Sequence, residues 1–340
     1  MIVFPHALHY ICRMEFRTIV DLPKGLAVEH DEPIMLLGSC FSDNIGERLR
    51  RALFRVDVNP FGTLYNPASI AAAVRRLIEN RPYSEAELFE FGGMWHSFDH
   101  HSKFSCADRS MALQKINARY EGGVQFLKTA RWLIVTFGTA YAYCLSDTGA
   151  VAGNCHKMPA SCFSRRLLPQ RDVVDDWLAT LARLHEWNPE LKVIFTVSPI
   201  RHLADGAHGN QLSKSTLLLA IDELSRHAEW ISYFPAFEIV MDELRDYRFY
   251  AADMVHPSDV AVDYVMERFS EACFSESARK SAKECERFFK LASHRPLSAD
   301  PSVVSALREK TRQSAFSLLE KMPYLRFVLK ELFGDELFDI

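Results

Sequence analysis

The chain lacks the marks of several function classes. Its eight cysteines, at 12, 40, 106, 144, 155, 162, 273 and 285, include no Cys-x-x-Cys pair, so neither a zinc ribbon nor a small disulfide framework is expected. Reduced thiols in a cytoplasmic protein are the expectation. No run of 18 apolar residues occurs, so neither a membrane span nor a membrane partner is expected. Residues 1–13 lack a basic leader and a small-residue cleavage site and do not read as a signal peptide, while Met14 opens a more usual start, MEFRTIV. Neither G-x-x-x-x-G-K-[ST] nor G-x-G-x-x-G after a strand is present, which removes the usual phosphate-cradling loops. Charge is nearly balanced at −4, from 40 basic and 44 acidic residues. The arginine pairs at 50–51, 75–76 and 165–166 are scattered and not interleaved with aromatics, so no nucleic-acid partner is expected. No internal repeat or low-complexity segment is visible.

What is present is ample core. Hydrophobic residues make up 48% of 340 positions and aromatics 12%, enough for a large α/β domain with additions. Ile34–Leu37 reads as a short buried strand ending in Gly38-Ser39, and Asp43–Phe54 as a helix with apolar spacing at Ile45, Leu49 and Leu53. A helix over Pro67–Glu79 and another over 107–129 precede the continuous apolar run Trp132–Phe137, which reads as a core strand. Tyr141–Cys144 and Ala150–Ala152 flank Ser-Asp-Thr-Gly as a β-hairpin. Asp172–Trp187, Gln211–His227 and Val260–Phe269 read as helices, and Leu191–Val197 and Ile231–Phe234 as further strands. Strands alternating with helices imply a mainly parallel sheet covered on both faces. From about 275 the strands stop, and residues 276–293 and 301–333 read as helices broken by Pro296, Pro301 and Pro323. The expected organisation is a hydrolase-like domain over 14–274 and a helical C-terminal extension over 275–340, through which copies of the chain could associate.

Two segments carry the chemistry. Ser39 sits on a strand-to-helix turn, at the strand's C-terminal edge, where open α/β sheets hold their ligands. Asp253 and His256, in Asp-Met-Val-His, can supply a base and its orienting carboxylate from one turn. Ser39 also reads as a helix N-cap, since Asp43 and an apolar run follow it.

Gly38-Ser39-Cys40-Phe41, Asn59-Pro60-Phe61-Gly62-Thr63, Thr136-Phe137-Gly138-Thr139 and Asp253-Met254-Val255-His256 together resemble the GSCFA-domain family, within the SGNH/GDSL hydrolases. The resemblance extends through TVSPIRH (196–202), DGAHGNQLSKS (205–215) and FYAADMVHPSDVAVDYVMERF (249–269), and so runs from about Phe16 to Phe269. Ser42 departs from the alanine in the family's name. The resemblance implies a three-layer flavodoxin-like domain and a serine hydrolase of small acyl esters, with deacetylation of a carbohydrate-like substrate as one subclass, and no cofactor. It implies Ser39 as nucleophile, His256 as base and Asp253 as its orienter. It also implies an oxyanion hole built from the Ser39 N–H, a glycine N–H and an asparagine side chain. Gly62 matches the glycine. The superfamily's asparagine is absent from Gly138-Thr139-Ala140-Tyr141, and Thr139 or Asn154 is expected in its place. An O-acyltransferase using the same triad and a catalytically silent binding module are the alternatives.

Other reactive residues receive plainer expectations. Trp95–His101 holds three histidines and an aspartate whose side chains alternate between faces, so it reads as a loop lining the acyl pocket, with His101 a substrate contact and no metal. His156, Arg201 and His202 lie in polar loop clusters near the sheet edge and are further substrate-contact candidates. Cys40, one step beyond Ser39, is expected to point elsewhere and to pack.

Overall fold

A computed structural model describes residues 18–294 and 300–334. The readings of residues 1–13, Met14, Phe16 and Pro296, and Cys12 itself, fall outside the described residues.

In chain order the first strands are β1 (Ile34–Gly38), β2 (Val56–Val58), β3 (Phe89–Phe91), β4 (Met94–His96) and β5 (Trp132–Phe137). They are followed by β6 (Tyr141–Leu145), β7 (Val151–Ala152), β8 (Phe163–Leu167), β9 (Lys192–Val197) and β10 (Ile231–Phe234). The central sheet has the order β10-β9-β5-β1-β2, and each of its pairings is parallel. Counted among themselves, its strands run 2-1-3-4-5, the flavodoxin-like order, whose direction of winding reverses between β1 and β5. Ligand sites of such sheets open outside the carboxyl ends of the strands at that reversal.

The helices are α1 (Cys40–Arg51), α2 (Pro67–Glu79), α3 (Arg109–Thr129), α4 (Gln170–Trp187) and α5 (Gly206–Ser225). After β10 come α6 (Asp259–Cys273), α7 (Glu276–Ala292), α8 (Pro301–Lys321) and α9 (Leu325–Phe333). The period-2 alternation of a strand divides the core into two. Met35 and Leu37 of β1, with Val135 and Phe195, pack against Val74, Tyr120, Trp177 and Leu217 on α2 to α5. Ile34 and Leu36, with Ile134 and Ile194, pack against Phe41 and Ile45 of α1, Val262 and Phe269 of α6, and Ala278 of α7. These are three layers, α/β/α, with helices on both faces of a parallel sheet, as its continuous apolar strands require.

Two small antiparallel sheets are inserted at the carboxyl edge: the β3–β4 hairpin and the three strands β7-β6-β8. The strand β8 is absent from the sequence expectations. Its residues Ser164, Arg165 and Arg166 are exposed, so it carries no apolar run to mark it. The C-terminal helices gather a third apolar cluster, in which Phe288 of α7, Leu318 of α8, and Leu325 and Leu329 of α9 enclose Leu53. Tyr324, between α8 and α9, ties this layer to the main body through a 3.0 Å hydrogen bond to His30 Nδ1.

Candidate active site

The turn after β1 is fixed by backbone constraints. Gly38 has φ +141°, and a Cβ on it would stand 2.2 Å from the Thr136 carbonyl oxygen, so only glycine allows β1 to run this close to β5. Gly38 N–H donates to Asn59 Oδ1 at 2.9 Å, and Asn59 Nδ2 donates to Asp43 Oδ1 at 2.8 Å, which locks the start of α1 to the loop after β2. The next residue is Ser39, fully buried, in extended backbone and at the N-cap of α1. Its Oγ accepts the Phe41 N–H at 3.3 Å. Ser39 thus caps the helix, and no hydrogen bond joins its hydroxyl to His256.

Cys40 is the first residue of α1, and its thiol faces the base. Cys40 Sγ lies 3.9 Å from His256 Nε2. His256 Nδ1 is 2.6 Å from Asp253 Oδ2. An ionised carboxylate only accepts, so in the neutral ring the proton is on Nδ1 and the Nε2 lone pair is directed at the thiol. Asp253 Oδ1 accepts the N–H groups of Val255 at 2.9 Å and His256 at 3.0 Å. These two backbone donors, reinforced by the imidazole, hold the Asp253 carboxyl down at about 2, so it stays ionised through ordinary pH. Met254, between the pair, adopts the left-handed region at φ +58°, which closes the turn. Ala251 N–H donates to the His256 carbonyl at 2.7 Å and Arg201 N–H to the Val255 carbonyl at 3.3 Å, anchoring the turn from both sides. Both side chains of the pair stay about half exposed, 47% for His256 and 50% for Asp253, so water and substrate can reach them.

Burial raises the Cys40 thiol above its ordinary value, and the nearby Asp43 carboxylate adds to this, while the N–H groups of Cys40 and Phe41 and the Lys214 ammonium oppose it. The resting group is therefore a thiol, and a base is required to make it nucleophilic. Lys214 is the group that sequence reasoning missed. It is 1% exposed, and its Nζ donates to the carbonyls of Gly138 and Ser198, at the carboxyl ends of β5 and β9, at 2.6 Å each. No carboxylate pairs with it among the described residues, and burial pulls it down to about 7, aided by the neighbouring Arg201. Tyr65 completes the wall: burial and the adjacent Cys40 push its phenol up, so it keeps its proton.

Of the expected oxyanion donors, the N–H groups of Ser39, Gly62 and Thr139 donate within the protein, that of Ser39 to the Thr136 carbonyl at 3.4 Å. Gly62 N–H donates to the Asn59 carbonyl at 2.8 Å, and the φ of +81° with His101 Cβ 2.2 Å from a virtual Cβ marks it as a turn glycine. Thr139 N–H donates to Tyr65 O at 3.0 Å, and its hydroxyl bridges Ser213 Oγ and the Tyr141 N–H. Asn154 Oδ1 accepts His156 N–H at 2.8 Å and shapes its own turn. In place of these, the Cys40 N–H stands in the first turn of α1, where helix geometry leaves N–H groups without helical partners.

Among the four substrate-contact candidates, His202 and Arg201 lie beside the dyad. His202 is driven down to about 4 by burial and then by Lys214, His256 and Arg165, and it meets the Tyr65 ring edge-on at 6.0 Å. His101 sits over Gly62 at the other rim, its Nδ1 accepting Lys103 N–H at 3.2 Å. His156 is buried under the hairpin, bonded to Ser97 O at 2.8 Å. Among the described residues, no group of three or more His, Cys, Asp or Glu side chains converges as a metal site would require, and no helix is long and apolar enough to cross a membrane.

An Asp-held histidine facing a thiol, at the winding reversal of a 2-1-3-4-5 sheet, describes an α/β protein with a thiol, an imidazole and a carboxylate in line. The profile of the GSCFA family matches residues 33–269, most of the chain, and the protein belongs to that family. No curated protein matches it. Among solved structures it is similar to a family two carbohydrate esterase from Clostridium thermocellum, determined with cellohexaose, at 12% identity and TM-score 0.31, covering 75% of this chain and 66% of that one. It is also similar to an acetyl xylan esterase from the rumen bacterium Butyrivibrio proteoclasticus at 10% identity and TM-score 0.34, covering 73% of this chain and 65% of that one. The chain therefore spans just under two thirds of the length of both.

Proposed function

We propose that this protein hydrolyses small acyl esters through a thioester on Cys40, with His256 as general base and Asp253 as its orienting carboxylate. The observation that carries this reading is the continuous line Asp253 Oδ2–His256 Nδ1 at 2.6 Å and His256 Nε2–Cys40 Sγ at 3.9 Å, with Ser39 Oγ turned into the helix cap. As Sγ attacks the ester carbonyl carbon, its proton passes to Nε2, and Asp253 stabilises the imidazolium. The carbonyl electrons move to oxygen, where the Cys40 N–H and the positive end of α1 face the developing charge. Collapse breaks the C–O bond, His256 returns the proton to the departing alkoxide, and the acyl group stays on sulfur. Water then attacks the thioester, again losing its proton to His256, and the acid leaves with the thiol restored.

The test is intact-mass analysis of protein quenched during turnover of p-nitrophenyl acetate, with peptide mapping, for the wild type, Cys40→Ala and Ser39→Ala. A single acetyl group on Cys40, lost in Cys40→Ala and kept in Ser39→Ala, is the expected result. Acetylation of Ser39 in an active Cys40→Ala protein would overturn the assignment of the nucleophile. Product analysis with and without a sugar acceptor separates hydrolysis from acyl transfer.

A further inference from the structure

A cavity of about 460 Å³ opens beside the Asp253–His256 turn, lined by Arg201, Val240, Met241, Leu244, Tyr250 and Met254 among others. Met254 belongs to the turn itself, and the Arg201 N–H donates to the carbonyl of Val255, so the cavity and the dyad share a wall. Its walls are apolar, and three large side chains at its rim, Leu203, Tyr247 and Met254, are exposed to solvent at 48%, 79% and 52%. The one cation inside, Arg201, has no charged partner among the described residues. Arg201 Nη1 reaches only the Met241 thioether at 3.6 Å, and its buried Nε has no hydrogen-bond partner. The other charges at the rim are neutralised locally, Arg245 by Asp242 and Asp246 by Arg248. Lys214, the nearest buried cation, also lacks a carboxylate, and no acid among the described residues balances the two.

The buried, unpartnered Nε of Arg201 carries an uncompensated desolvation cost, which an anion bonded to this guanidinium from the cavity would relieve. Its planar fork matches a carboxylate with two parallel hydrogen bonds. We propose that this cavity receives a carboxylate on the substrate's acyl group, so that the preferred substrates are half-esters of short dicarboxylic acids, with the methylenes against Met241 and Met254. The inference rests on the reading of Cys40 as the acylated residue, whose thiol and Arg201 both neighbour Lys214.

The experiment compares kcat/KM for mono-p-nitrophenyl glutarate with that for the neutral p-nitrophenyl valerate, in the wild type, Arg201→Met and Met241→Glu. The glutarate is expected to be favoured by about tenfold or more in the wild type, as one charge-assisted contact allows, and the ratio to collapse in both variants. Met241→Glu reaches the same end without removing the arginine, since it supplies the missing anion and repels the substrate's. Equal rates on the two esters in the wild type, or an unchanged ratio in both variants, would overturn the proposal. A preference for 4-acetoxybenzoate, whose carboxylate is on the leaving group, would overturn the acyl-side placement. Calorimetric titration of monomethyl glutarate into Cys40→Ala protein, with and without Arg201→Met, reads the carboxylate site without any chemistry. Arg201-dependent binding there supports the pocket even if no ester is turned over, whereas hydrolysis without such binding leaves the esterase reading standing and removes the pocket.

Discussion

Two regions at the carboxyl edge of the sheet hold histidines, and they are opposite in kind. Around the β3–β4 hairpin, His96 bonds Ser105 Oγ and Phe91 O, His100 bonds Ser97 Oγ, and His156 bonds Ser97 O and Ser102 Oγ. Their rings are packed among aromatics, with His96 and His156 4.4 Å apart and His100 5.1 Å from Phe61. Burial takes His100 down to about 3 and lowers His156 as well, so these two rings stay neutral. His256 is half exposed, tied at Nδ1 to a carboxylate and free at Nε2 except for the thiol. A histidine whose ring nitrogens are satisfied within the protein is part of the packing, and one with an oriented, open nitrogen can move a proton. Density of histidines is not the signal; the unpaired nitrogen is.

The largest effect expected from breaking this contrast is the loss of thioester formation in Cys40→Ala or His256→Ala, a fall of at least about a thousandfold in kcat/KM, read with a chromogenic acetate ester. Asp253→Asn keeps the shape but lets the imidazole take the wrong tautomer, and a drop of about a hundredfold or more is expected, with melting temperature nearly unchanged. Retained activity in that variant would make Asp253 a mere turn residue.

Lys214 provides a test in stability rather than rate. Its buried amine gives up its proton above a pH of about 7, whereas in the unfolded chain the proton is held until about 10.4. The unfolded state therefore binds more protons across that window, and stability rises with pH by up to about 1.4 kcal/mol per unit from this group. Denaturant titrations of Lys214→Met should show that rise removed, and an unchanged slope would refute the assignment.

His156→Ala is expected to cost about 1–3 kcal/mol through orphaned partners and to leave kcat/KM within a fewfold, which distinguishes packing from chemistry. Ser39→Ala, the smallest change, should lose about 1 kcal/mol as a cap substitution while acylation of Cys40 continues.

Much of the scaffold was legible. Trp132–Phe137, Ile231–Phe234 and Pro67–Glu79 match the observed elements end to end, because a buried parallel strand is a continuous apolar run and α2 begins with the Asn-Pro cap signal. The pairing of Asp253 with His256 was also readable, since three residues of turn bring the two together. What was missed, by one helical turn, was the start of α1. Apolar spacing placed the start of α1 at Asp43, but the helix begins at Cys40, which makes Ser39 its cap and aims the following residue outward. The cap reading of Ser39 was available in the sequence and is what the structure shows. Lys214 was hidden for a different reason. It stands in the polar stretch Asn-Gln-Leu-Ser-Lys-Ser, and α5 starts at Gly206 rather than at Gln211, which turns that lysine inward toward two strand-end carbonyls. Only the tertiary packing shows that.

His256 and Asp253 arrive on a single turn closed by the left-handed Met254, while the Cys40 thiol belongs to the helix after β1. Displacement of residues 251–258 as a unit therefore carries Asp253 and His256 together and preserves their 2.6 Å bond. Only the 3.9 Å gap to sulfur changes. In the proposed mechanism, proton transfer therefore follows one mechanical coordinate, the height of a loop above a helix end, and whatever leans on that loop tunes the reaction without touching either of its two rigid parts.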